Sequence, residues 1–300
     1  MKTPYRYLIG ISVGVLAGLL LPSGQQVADL INLGAELSLL LGRYLVLPLI
    51  FFTLPVAVTQ LRRGGQLGTL LLRAGILVLI SSAVLAVLGT LSAWFPEFGR
   101  IPVIPSTYTG EQPVKFLEMI RGILQGNSKI VLTLLVPAFI LGWHFHHDRE
   151  IAEPSYNVFD SLSRILYRAE CFFLLLMPVM LAFLSASAVM QTRLVTDFQR
   201  FWGLLGMLYG LCLVLAAAVY PLILRLTGSS LKPWKDLAGL SGALAGALVS
   251  GSPLFNYGNL VLHLKENLNI PRKNAGLTAP VYLLFARGGT AFIAAFSMLT

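Results

Sequence analysis

Two stretches toward the C-terminal end carry residues that could do chemistry inside a membrane. The first, Leu237 to Leu264, is apolar and rich in Gly, Ala and Ser, yet Ser250-Gly251-Ser252-Pro253 breaks it near its middle. The second, Leu277 to Met298, has Ala286-Arg287-Gly288-Gly289-Thr290 at its centre, with a full positive charge at mid-span. Non-helical backbone at membrane depth is tolerated only where protein or a watery cavity surrounds it. A charge there is costly enough to mark function by default. Two interrupted apolar segments in one chain point to the substrate site of a transporter. A glycine-rich packing face would account for the glycines, but not for Pro253 or Arg287.

A guanidinium stays charged and needs an anionic partner. The chain offers no acidic residue in any other span core; the nearest, Asp236 and Glu266, fall at the ends of the first broken segment. One expectation is therefore that Arg287 attracts a carboxylate substrate directly, with hydroxyls of Thr290, Ser250 or Ser252 completing the contacts. The other is that Arg287 snorkels to a water-filled crevice. His144-Phe145-His146-His147-Asp148 is the one metal-like run. Adjacent residues of a regular helix cannot all face one ion, so it reads as a solvated turn, and no metal is expected. Arg43, inside the second span, is expected to snorkel or to pair with Glu36, with no role toward substrate. Cys171 and Cys212 lie in apolar runs and read as small hydrophobes. No nucleophile elbow, phosphate-binding glycine loop or His-Glu-x-x-His occurs, so an enzyme is not expected.

The elements that must position these residues are apolar spans. Apolar residues make up 56% of the chain and charged ones 12%, about half the charge of a soluble domain. The chain reads as a polytopic, all-α membrane protein, and its +9 net charge marks loops facing the cytoplasm rather than a nucleic-acid partner. Spans are expected at Tyr7 to Leu21, Ala35 to Leu61, Ala74 to Phe95, Ser128 to Trp143, Cys171 to Met190 and Phe201 to Leu226. Between them lie a loop from Pro96 to Asn127, with a short amphipathic piece at Phe116 to Leu124, and a polar segment from His144 to Glu170. With the N-terminus in the cytoplasm, most Lys and Arg fall inside. That bias holds only if Leu237 to Leu264 enters and leaves on the same side, because a full crossing would put Lys265, Arg272 and Lys273 outside. The segment is therefore expected to be a re-entrant hairpin.

Leu41 to Phe51, Leu79-Ile80-Ser81-Ser82-Ala83, Asn127 to Gly142, Leu248 to Ser252, Thr278-Ala279-Pro280 and Ala286 to Thr290 fall in an order that resembles the dicarboxylate/amino-acid:cation symporters, the glutamate-transporter family. The resemblance implies an elevator fold of about seven spans plus one re-entrant hairpin, lacking the second hairpin and last span with which the family continues beyond the point matching Thr300. It implies scaffold spans in residues 1–65 and 128–192, and transport-domain elements in 66–127 and 193–300. It implies a homotrimer in the cytoplasmic (inner) membrane, multi-pass with the N-terminus cytoplasmic, carrying a small anionic substrate such as a dicarboxylate or acidic amino acid. By the same resemblance Ser250, Ser252 and Thr290 would touch substrate. Ser81, Ser82, Ala286 and Gly288 stand at cation-binding positions, where Ala286 replaces the family's Asn and Gly288 its Asp. Hard cations want oxygen ligands, so sodium or a proton would be the coupling ion of a site that has lost its carboxylate; no other cofactor is implied. The alternative is a membrane protein that keeps the scaffold for oligomer contacts without transporting.

Overall fold

The computed structural model describes residues 3–21, 25–93, 127–147, 149–193, 206, 209–210, 212–226 and 232–285. The described residues are helices joined by short turns. In chain order they are α1 (Thr3–Leu20), α2 (Gln25–Arg63), α3 (Leu67–Ala93), α4 (Asn127–His144), α5 (Arg149–Phe173) and α6 (Met177–Arg193). A π-helical turn (Leu215–Val219) then leads into α7 (Tyr220–Leu226), followed by α8 (Pro233–Gly239), α9 (Ser241–Ser250), α10 (Tyr257–Glu266) and α11 (Arg272–Phe285). The loop expected at Pro96 to Asn127, with its amphipathic piece, and the start of the sixth span lie almost wholly outside the described residues.

Among the described residues, α2 and α3 are each long and apolar enough to cross a bilayer. The second span is longer than expected: α2 runs 39 residues with Pro48 and Pro55 inside it. Proline cannot donate to the helix ladder, and the freed region is where another helix closes in. A Cβ on Gly142 of α4 would sit 2.7 Å from the Pro55 carbonyl oxygen. The Thr59 hydroxyl lies between the carbonyls of Pro55 (2.8 Å) and Gly142 (3.0 Å). Arg62 closes the crossing by stacking on Trp143, 3.7 Å from the ring centre, while donating to its carbonyl at 2.7 Å.

The segment His144 to Glu170, expected to be a polar connection, is instead mostly the helix α5. Its charges (Glu150, Glu153, Asp160, Arg164, Arg168 and Glu170) alternate with apolar residues at helical spacing, so it is an amphipathic helix. The chain bends by 59° at Leu174–Leu176 and continues as the apolar α6. That helix lies against α1 through Gly10, Gly14 and Gly18, which are four residues apart and so share one face. A Cβ at Gly10 would stand 2.2 Å from the Pro178 carbonyl oxygen, and one at Gly14 2.2 Å from that of Ala182. Backbone meets backbone here, the usual close packing of small residues between membrane helices.

Two buried apolar clusters organise the bundle. One joins α2 (Val46, Leu49, Ile50, Val58) to α4, α10 and α11. The other joins α1 through Tyr7 to the α5–α6 bend through Phe173, Met177 and Leu181. The turn between α9 and α10 contributes to both, Leu254 to the first and Phe255 to the second. Arg43 makes no ion pair with Glu36, contrary to one of the two expectations for it; its Nε is buried without a partner.

Candidate functional site

The Gly/Ala/Ser segment folds as a hairpin whose legs are α9 and α10. Gly251 ends α9 in the left-handed region at φ 57°, a conformation that glycine takes without steric cost. Three asparagines of the returning strand of chain bond carbonyls of the outgoing one. Asn256 Nδ2 donates to Ala243 O (2.5 Å), Asn259 Nδ2 to Gly242 O (3.0 Å) and Asn267 Nδ2 to Gly239 O (2.6 Å). The pairing descends on one side as it climbs on the other, so the legs are antiparallel. Gly239 and Asn267 meet at the open end, so the segment enters and leaves together, as the charge pattern required. Tyr7 of α1 donates its hydroxyl to Asn259 Oδ1 at 3.3 Å, tying the ladder to the first helix.

At the tip, both expected serines serve the turn. Ser250 Oγ accepts the Ser252 N–H at 3.3 Å, and Ser252 Oγ accepts the Phe255 N–H at 3.4 Å. Ser250 Oγ also donates to the Ser252 carbonyl at 3.5 Å, whereas Ser252 Oγ accepts through its oxygen and keeps its own hydrogen for donation. Leu254 and Phe255 plug the tip into the bundle: each is 1% exposed, and Phe255 lies on Gly42 of α2, where a Cβ would come within 2.7 Å of its ring.

Ser81 and Ser82 are half-buried on α3, with Ser81 Oγ donating to its own helix at Val78 O, 3.0 Å. No hydrogen bond joins them to the tip serines among the described residues, and α3 packs chiefly on α2 and α11. Ala286, Arg287, Gly288 and Thr290 lie outside the described residues, immediately after α11, so the tip is described while its expected partners are not. The expected histidine turn shows His144 Nδ1 against Ile140 O at 2.9 Å, and Asp148 is outside the described residues.

The seat of the hairpin holds residues the sequence reading passed over. Glu170, in the last turn of α5, is 1% exposed, and neither of its oxygens has a hydrogen-bond partner. It presses on Gly258 of α10, where a Cβ would fall 1.7 Å from Oε1. An ionised carboxylate loses its water on burial and gains nothing in return, so this site favours the neutral acid. Nearer the open end, Asp160 accepts from Arg164 Nε (2.9 Å) and from Arg272 (3.1 Å), and Arg272 also reaches Ser163 Oγ. Lys265 stands 4.2 Å over the Tyr167 ring. Arg164, Tyr167, Arg168, Lys265 and Arg272 together bound a basic cavity of about 320 Å³. The only sequence signal for Glu170 was a carboxylate one residue ahead of an apolar run, and that pattern is common at span ends.

Two comparisons bear on the site. The family model described as the sodium:dicarboxylate symporter family matches residues 4–300. No curated protein matches the chain.

Proposed function

The chain belongs to the sodium:dicarboxylate symporter family, whose members are transporters and not enzymes, and from that premise we propose that it is a secondary transporter of dicarboxylates or acidic amino acids. It is a multi-pass membrane protein; in our reading it sits in the cytoplasmic membrane with its N-terminus inside and assembles as a homotrimer. The observation that carries the reading is the hairpin: an interrupted apolar segment whose ends meet and whose tip, carrying the hydroxyls of Ser250 and Ser252, lies within the helix bundle. Transporters hold substrate at interrupted segments of this kind.

In this proposal α3, α7 to α11 and the chain after Phe285 form the moving part, and α1, α2, α4, α5 and α6 the scaffold, as an elevator requires. Arg287 replaces a bound cation as the fixed positive charge that attracts the substrate carboxylate. Ser250, Ser252 and Thr290 donate hydrogen bonds to it. Ser81 and Ser82 remain as the hydroxyls of a cation site in which Ala286 and Gly288 no longer supply ligands, so sodium is not needed.

Uptake of labelled succinate and aspartate into liposomes containing the purified full chain tests this. Uptake should persist when choline replaces sodium and should fall by at least about tenfold in Arg287→Met, the effect of losing one charge-assisted bond. A sodium requirement, or full uptake by Arg287→Met, would remove the role given to Arg287. Uptake of neither compound would remove the substrate class.

A further inference from the structure

Glu170 is the one buried carboxylate among the described residues. The groups that bear on it leave it without compensation. From α10, Tyr257 is its titratable neighbour; on its own helix the neighbour is Cys171. Thr53 of α2 faces Tyr257 and is uncharged. The cations nearby are engaged elsewhere, Lys265 over the Tyr167 ring and Arg272 on Asp160 and Ser163. The carboxyl is therefore stable against Gly258 only as the neutral acid. Ionisation needs water at its oxygens, and water arrives only if α10 moves away from α5.

Two cavities open beside the hairpin leg. Tyr167, Lys265 and Arg272 bound the basic cavity and also line a narrower cleft of about 30 Å³ that reaches Tyr257, next to Gly258. That volume is enough for a water molecule or two.

We propose that Glu170 is a proton-binding site opened and closed by the hairpin leg α10. When α10 closes on α5, the carboxylate takes a proton from water and an O–H bond forms. When α10 withdraws, that bond breaks and the proton returns to water; no other reactant is involved. The proton site does not rest on the transporter reading.

The test uses the full chain reconstituted in lipid. Infrared difference spectra taken from about pH 5 to about pH 9 should show a protonated-carboxyl band that disappears as pH rises. The band should be missing in Glu170→Gln and retained in Glu170→Asp. A band identical in wild type and Glu170→Gln would overturn the proton site. Gly258→Ala, which pushes the carboxyl off its seat, should move the midpoint toward the ordinary carboxylate range; an unchanged midpoint would overturn the part played by α10.

Discussion

Two seams of this molecule use glycine to bring helices together, and they differ in what lies against the glycine. Between α1 and α6, Gly10, Gly14 and Gly18 meet the backbone of Pro178, Ala182 and Ala186. Those carbonyls cannot yield, and the side chains beside them, Ser185 and Val189, do not titrate. Between α10 and α5, Gly258 meets the end of a single flexible side chain, the carboxyl of Glu170. The first seam is fixed by shape alone. The second depends on the charge state of one group, so it is the place where conditions can alter how the hairpin sits.

The contrast is broken most severely at the first seam. A Cβ at Gly14 would lie 2.0 Å from Ser185 Oγ and 2.2 Å from Ala182 O, so Gly14→Leu must force α1 off α6. The expected cost is about 3 kcal/mol or more, read as a lowered thermal midpoint in detergent. Gly75→Leu, with no atom within 4 Å of its Cβ position, is the control and should leave the midpoint nearly unchanged. Equal tolerance of both would show that the α1–α6 seam is not close-packed.

The second seam should answer to pH. Buried without a partner, the Glu170 carboxyl is stable in the folded protein only as the neutral acid, so the folded state holds the proton more tightly than the unfolded one. Its contribution is present at low pH and is lost as pH rises. Thermal midpoints of wild type should fall with rising pH relative to those of Glu170→Gln. Parallel curves for the two proteins would contradict the burial of an unpaired carboxyl.

Within the hairpin, Asn259 joins three partners, Gly242 O, Asn256 Oδ1 and the Tyr7 hydroxyl. Asn259→Leu should cost about 2 kcal/mol, because it leaves a buried carbonyl and a buried hydroxyl unsatisfied. The loss should be much smaller in a Tyr7→Phe background, where one of those groups is already gone. The smallest effect is expected at the open end. Asp160 binds Arg164, whose side chain is 68% exposed, and Arg272, at 34%. Asp160→Asn should cost no more than about 1 kcal/mol, and less in high salt. A salt-insensitive loss of several times that size would mean the cluster is structural rather than a solvated rim.

Much of this was legible because it is local. Composition and apolar run length determined a helical membrane protein. Gly251 and Pro253 determined that the Gly/Ala/Ser segment must break, and the Lys and Arg on either side required its ends to lie together. The Gly10, Gly14 and Gly18 spacing is local too, but a spacing names a face and not the helix that will cover it. The tertiary structure decided what distance along the chain conceals. It put the tip residue Phe255 on Gly42 and the α4 residue Gly142 on Pro55. It turned a segment expected to connect spans into the amphipathic α5, and it buried Glu170 under Gly258, 88 positions away in the chain. Hydropathy sums over neighbours in sequence, whereas the protonation state of a carboxyl depends on which atoms replace its water. Those atoms come from another helix, so the charge of Glu170 could be argued only once the chain had folded.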